Sequence, residues 1–231
     1  MDLIDALRTT GSVRDFTDEP VPDEVIHRLL DTARFAPNGG NRQAWKVVVL
    51  RDPQVRARMR DAYLIHWYEY LALRVAGLTP FAPVHDPAAE AAALEREPEL
   101  RAAAEAGAVG FAERIDQAPV LLAVLADLQH VAAMDRGFSR YTMVGGASIY
   151  PFVWSILLAA HEEGLAGVMT TAAIREEGAA EAILGAPPEY AMAALIALGH
   201  PEGRRPTRLR RNPVEEFTTV DSCTGPAFRI D

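Results

Sequence analysis

Phe35-Ala36-Pro37-Asn38-Gly39-Gly40-Asn41-Arg42-Gln43-Ala44-Trp45-Lys46 joins an amphipathic helix to the first apolar strand, Val47 to Leu50. Pro37 cannot continue the helix, because its ring fixes φ and it lacks an N–H. Gly39-Gly40 lets the backbone turn through conformations closed to other residues, and so brings main-chain N–H groups close to a ligand. Asn38, Asn41, Arg42 and Gln43 crowd amide and guanidinium donors into the turn, and Trp45 adds a large flat face. A Gly-Gly pair taken alone marks an ordinary surface turn. Two further donor clusters, one upstream and one near the C-terminus, tip the reading toward a binding loop.

The periodicity on either side of this loop sets the architecture. Asp2 to Arg8 reads as a short helix. Val25, Ile26, Leu29, Leu30 and Ala33 recur at helical spacing behind Asp23, which predicts an amphipathic helix over 23–35. Lys46 to Leu50 holds three valines and reads as a strand buried on both faces. A helix begins at Asp52-Pro53 and runs to about Tyr63, with Ala72 as an alternative end. Gly77 to Pro98 reads as an insertion of loops and exposed helix, a type of segment that often acts as a lid. Glu99 to Ile115 reads as helix and Pro119 to Ala126 as a buried strand. Val144 to Glu163 reads as an apolar helix in which Pro151 is either a kink or the true first turn. Leu165 to Thr171 is a strand ending in hydroxyls, Arg175 to Leu184 a helix, and Ala191 to Leu198 a last strand stopped by Gly199-His200-Pro201. Helices alternating with a handful of strands predict one mixed sheet in an α/β or α+β sandwich.

A chain of 231 residues suits one large domain, or a domain with an inserted piece. The net charge of -9 argues against nucleic acid or an anionic membrane as partner, since both need a basic footprint. A single cysteine, Cys223, excludes an intrachain disulfide framework and fits a reducing compartment. Met1 to Asp5 lacks the basic start of a signal peptide, and the apolar runs Val120 to Ala126 and Ile149 to Ala160 read as too short for a bilayer. A cytoplasmic protein is the expectation.

The residues able to carry chemistry are of one kind. Ser12 and Arg14 form one donor cluster, and Arg208, Arg210 and Arg211 another; arginine forks bind phosphate oxygens in bidentate fashion. No Walker loop and no G-x-G-x-x-G after a strand is present, which leaves a nucleotide triphosphate or Rossmann cofactor without support. The six histidines lack metal-ligand spacing, and no G-x-S-x-G marks a serine nucleophile. What remains is a site of amides, hydroxyls and arginines, which suits an enzyme whose organic cofactor does the chemistry.

The order Ser12-Val13-Arg14-x-Phe16, Ala36-Pro37-Asn38-Gly39-Gly40-Asn41-Arg42-Gln43-Ala44-Trp45, Val168-Met169-Thr170-Thr171-Ala172 and Leu198-Gly199-His200-Pro201 with Arg210-Arg211-Asn212-Pro213-Val214-Glu215-Glu216 resembles the FMN-dependent nitroreductase family. The resemblance implies an α+β fold, a three-layer α/β/α sandwich with a mixed, mainly antiparallel central sheet. It also implies an interlocked homodimer with FMN at the subunit interface. One domain would span 1–231, with about 64–112 inserted over the active site. The family's phosphate-binding stretch falls on Thr10, Gly11, Ser12, Val13 and Arg14, with Thr10-Gly11 in place of an arginine pair. The loop that reaches the flavin from the partner falls on Pro37, Asn38 and Asn41. The strand end beside the reactive N5 falls on Met169, Thr170 and Thr171, and the basic residues returning to the phosphate are Arg208 and Arg211, with Arg210 as an alternative to Arg208. The implied activity is hydride transfer from NADH or NADPH through FMN to a small electron-poor acceptor, by ping-pong kinetics and with no side chain as catalytic acid or base. Trp67, Tyr68, Tyr70 and Phe81 are candidates for lining the acceptor pocket, or are plain core. A reductive dehalogenase or an oxidase on the same scaffold, and a non-catalytic flavin-binding dimer, are the alternatives.

Overall fold

The computed structural model describes residues 2–107 and 110–230. Two apolar strands form its middle. β2 (Val120–Asp127) and β4 (Tyr190–Gly199) pair antiparallel and are buried almost throughout. β1 (Trp45–Val49) and β3 (Ala166–Thr170) close the edges, giving the order β1-β2-β4-β3 with every strand pair antiparallel. The four-stranded sheet is thus antiparallel rather than mixed, and the parallel contact among the described residues is an isolated bridge, Ser12 to Gly167, outside the four strands. The register slips at Ala193: Val124 faces Ala194 and Leu125 faces Met192, so Ala193 bulges, and its carbonyl accepts from the Tyr150 hydroxyl at 3.3 Å.

Alternation along the strands sorts side chains between two cores. Leu122, Val124, Ile196 and Leu198 face one way, toward α2 (Asp23–Ala33) and α6 (Tyr150–Glu162), with α1 (Leu3–Thr9) against α6. Leu121, Ala123, Leu195 and Ala197 face the other way, toward α3 (Pro53–Val75) and α7 (Glu177–Leu184). The result is a three-layer α/β/α sandwich. Each fully buried leucine in it contributes about 1.5–3 kcal/mol of transfer free energy.

The boundaries differ from the sequence reading where tertiary contacts decide them. The helix expected over 23–35 stops at Ala33, because Arg34 and Phe35 already turn toward Pro37. β1 is an edge strand with Lys46 exposed, not a strand buried on both faces. α3 continues to Val75, past both ends considered, since Tyr63, Tyr68, Ala72 and Leu73 keep it buried. The helix expected over Glu99 to Ile115 is two pieces, α5 (Glu97–Glu105) and a 3-10 turn (Ala112–Gln117), with 108–109 outside the described residues. Within 77–98 lies α4 (Pro87–Leu94), capped by Asp86; α4 and α5 both pack on α3.

Pro151 resolves as first turn: a 3-10 turn (Val144–Ser148) comes first, and the proline stands in the opening turn of α6. The run Ile149 to Ala160, expected to be too short for a bilayer, lies within Val144–Glu162, which as one run is 19 residues and, by length and composition only, long and apolar enough to cross one. Here it packs on the sheet, with 44% of its most apolar window buried.

Candidate functional site

The phosphate-type strip is built by the edge strand β3. Thr10 ends α1, donating its N–H to Ala6, and the chain then runs extended beside β3. Val13 N–H donates to the Gly167 carbonyl at 3.0 Å, and the parallel Ser12–Gly167 bridge sends Arg14 in the direction of Met169. The strip and the strand end are therefore side by side, although more than 150 residues separate them in sequence. The basic C-terminal segment folds over the same place: Leu209 N–H donates to Arg8 at 3.3 Å, and a Cβ on Gly11 would lie 2.8 Å from Leu209 Cδ2 and 3.1 Å from Pro206 Cγ. Arg208, Arg210 and Arg211 flank this contact and are exposed. Arg205 has another role, capping α6 through the carbonyls of His161 and Gly164.

The end of β3 meets α3. Thr170 donates its hydroxyl to the Tyr63 oxygen at 3.5 Å, and Met169 remains 39% exposed. Burial pushes the Tyr63 phenol up, while the Thr170 bond and the Arg14 charge oppose that. Beyond Thr171 a 3-10 turn (Ala172–Glu176) is held to α3 by His66, whose two ring nitrogens lie 2.6 Å from Glu69 and 2.8 Å from Glu176. Tyr63, Trp67 and Tyr70 stack in sequence along α3, at centroid distances of 5.7 and 5.2 Å. Phe81 lies under the Arg175 guanidinium at 4.2 Å. Tyr68 proves to be core: it is buried, and donates to Glu113 at 3.0 Å.

The donor loop stands at the other edge of the sheet, leading into β1. Gly40, Asn41 and Gln43 all take positive φ (65, 52 and 50°), a cost that surrounding contacts must hold in place. Asn38 supplies one: its Oδ1 accepts from Gln43 N–H at 2.9 Å and its Nδ2 donates to Ala36 at 3.2 Å. Ser148 supplies another, accepting from Gly39 N–H at 3.0 Å. Ser148 is in turn set by Asp135, whose carboxylate accepts from Met143 N–H (2.6 Å), Val144 N–H (3.3 Å) and Arg140 (3.0 Å) at the start of the 3-10 turn. These bonds, the Met143 one foremost, hold the Asp135 carboxyl below its ordinary range. Ser148 and Asp135 are the buried polar residues among the described residues, and both serve this loop. Neither has a local spacing that would single it out in sequence. Trp45 stacks flat on Phe152 at 4.5 Å rather than offering its face to a ligand.

The structure thus brings Thr10, Gly11, Ser12, Val13 and Arg14 together with Met169 and Thr170, and folds the segment of Arg208 and Arg211 against them; Thr171 follows, exposed, at the strand end. Among the described residues, no hydrogen bond or ion pair joins Pro37, Asn38 or Asn41 to that group.

The model of the nitroreductase family matches residues 7–200. The chain belongs to the nitroreductase family. It is 28% identical over 200 residues to 5,6-dimethylbenzimidazole synthase of Rhodobacter capsulatus, covering 87% of this chain and 84% of that protein. Its fold superposes on a variant of the FMN and NADPH-dependent nitroreductase NfnB of Sphigopyxis sp. strain HMH, with a TM-score of 0.63, 23% identity and coverage of 96% and 100% of the two chains. It also superposes on oxidized iodotyrosine deiodinase bound to FMN and 3-iodo-L-tyrosine, with a TM-score of 0.62, 20% identity and coverage of 95% and 100%. The expected α+β sandwich with a mainly antiparallel sheet holds.

Proposed function

We propose that the chain is an FMN-dependent oxidoreductase, taking hydride from NADH or NADPH and reducing an electron-poor acceptor such as a nitroaromatic, quinone, enone or related metabolite. The observation that carries this reading is the juxtaposition of the Thr10–Arg14 strip, the Met169–Thr171 strand end and the C-terminal arginines.

The residues present fit the cofactor. The Thr10 hydroxyl is buried without a hydrogen-bond partner, and Gly11 leaves a cradle that a Cβ would fill. Arg14, Arg208 and Arg210 lack a carboxylate partner among the described residues, whereas Arg28, Arg60, Arg101 and Arg140 are all ion-paired. Guanidiniums free of carboxylates, in the strip and in the segment folded against it, are what a phosphomonoester needs in a chain of net charge -9. When bound, FMN supplies reversible hydride transfer at its N5. Ser12, Arg14 and Arg208 would hold the phosphate, with Arg211 beside them, while Met169, Thr170 and Thr171 lie along the ring and Tyr63 orients Thr170.

The active form in this reading is a homodimer. Pro37, Asn38 and Asn41 stand at the opposite sheet edge from the strip, so a second chain is what brings them to the flavin. Exposed Phe35, Met143 and Trp154 offer apolar surface for that contact. The described residues of the 64–112 segment cover the acceptor side in this reading, supported by the links from α3 and Phe81 to the turn after β3. The cytoplasm is the proposed compartment.

A specialised reaction on the same scaffold is the second reading, favoured by the sequence similarity to a synthase over 87% of this chain. Visible absorbance of the purified protein tests both: flavin bands near ~450 nm that bleach with NADH or NADPH and return with a quinone support the first. Bound flavin that neither nucleotide reduces supports the second. A colourless protein that ignores added FMN refutes the cofactor.

A further inference from the structure

Beside the donor loop lies a cavity of about 670 Å³ that the flavin reading does not use. Its wall is the stretch after β2, and Arg42 of the loop itself completes it. Gly39 ties the two together, since a Cβ there would lie 3.3 Å from Ala132. The volume falls within the ~300–1,000 Å³ of organic-ligand pockets.

The lining has a definite chemistry. Leu128, Val131 and Met134 make an apolar floor, and the cationic side chains are Arg42 and Arg136, with His130 beside them and no carboxylate in the lining. The two acids nearby are outside the lining and already hydrogen-bonded. Asp127 is bonded to His130 Nδ1 at 2.8 Å and accepts from Gln129 N–H at 2.9 Å. Asp135 is buried beneath Met143 and Val144. The Arg136 side chain makes no hydrogen bond or ion pair among the described residues, and Arg42 reaches only the Gly39 carbonyl, at 3.0 Å.

We propose that this cavity takes the phosphate-bearing adenosine end of the nicotinamide donor, and that Arg42 and Arg136 make the enzyme select NADPH over NADH. The inference rests on the reading of residues 37–41 as part of the flavin site, which puts the cavity next to the reacting ring. In Rossmann folds an Asp or Glu takes the ribose 2′-hydroxyl and an arginine the 2′-phosphate; this cavity is not of that fold, but the same charge logic, guanidinium without carboxylate, holds in it. Guanidinium forks bind a phosphomonoester through two parallel N–H bonds, and also stack on an adenine face.

Calorimetric titration of the FMN-loaded protein with adenosine 2′,5′-bisphosphate, and separately with AMP, tests this directly. The bisphosphate is expected to bind at least about tenfold tighter than AMP, and Arg136→Gln to weaken it about tenfold or more. The ratio of kcat/KM for NADPH over NADH falls by the same factor, and Arg136→Lys recovers part of it. Arg42→Gln acts in the same direction, although it also frees the Gly39 carbonyl, so Arg136 gives the cleaner result. Arg58→Gln, at an exposed position of α3, leaves bisphosphate binding unchanged. Equal binding of the two nucleotides, or a bisphosphate affinity indifferent to Arg136→Gln, overturns the inference. The flavin reading survives that result if NADH or NADPH still bleaches the flavin. An enzyme whose Arg136→Gln variant loses turnover of a carboxylate-bearing acceptor while keeping its nucleotide preference overturns it in favour of an acidic acceptor.

Discussion

Replacing Gly167 by alanine tests whether the edge strand holds the flavin strip. Gly167 pairs with Leu198 on its inner side and accepts from Val13 N–H on its outer side. A Cβ at this position would lie 2.3 Å from Leu198 Cδ2 and 2.5 Å from the Ala197 carbonyl oxygen. The leucine methyl can rotate away. The carbonyl cannot, because Ala197 is paired with Val168 on one side and Leu121 on the other. Ordinary contact begins at 3.4 Å, so β3 has to move by about 0.9 Å. Overpacking of this kind costs about 1–3 kcal/mol. At about 2–4 °C per kcal/mol for a chain of this length, Tm falls by about 2–12 °C. The strand carries Val13 with it, and losing one charge-assisted phosphate contact of about 1.5–3 kcal/mol weakens FMN binding about ten- to a hundredfold. Thermal melts with and without FMN, and fluorescence of released flavin, measure the two effects. An unchanged Tm together with unchanged FMN retention would refute the account of how strip and strand are coupled.

Gly178 is the matching control. It lies inside α7 with nothing within 4 Å of the place a Cβ would take, so Gly178→Ala should stabilise by about 0.5–1 kcal/mol, read as a higher Tm. Arg14→Ala and Arg208→Ala should each weaken FMN binding about tenfold or more, an effect that shrinks as salt is added; equilibrium dialysis against FMN at two ionic strengths decides it. Asp135→Asn should loosen the donor loop. Because the folded carboxyl titrates below its ordinary 3.8, the stability it gives is present above that pH and lost as pH falls further, so the gap in Tm between wild type and variant should close in acid. Tyr68 is pushed up to about 12 by burial and by Glu113, so its contribution is complete below pH 10 and lost as pH rises toward 12. Urea midpoints across that window should decline less steeply in Tyr68→Phe.

Much of the secondary structure was legible because its causes are local. Helical spacing in 23–33, the apolar run of β2 and the Asp52-Pro53 start of α3 each state their element within a few residues. The end of α3 was not, since it is fixed by what Tyr68 and Leu73 bury rather than by a stop signal in the chain. Trp45 shows the same limit, as its flat face is spent on Phe152.

The sequence by itself determined the apolar strands of the sheet and the kinds of side chain available to a site: arginines, hydroxyls and turn amides. Only the tertiary structure decided which of these meet. The order β1-β2-β4-β3 puts the Thr10–Arg14 strip beside Met169 and Thr170, yet leaves Asn38 and Asn41 at the far edge. It also recruits Tyr63, Asp135 and Ser148, whose roles depend on partners 8 to 109 residues away. The physical reason is that propensity and periodicity act between near neighbours, whereas strand pairing and buried hydrogen bonds join residues by burial, whatever their separation along the chain.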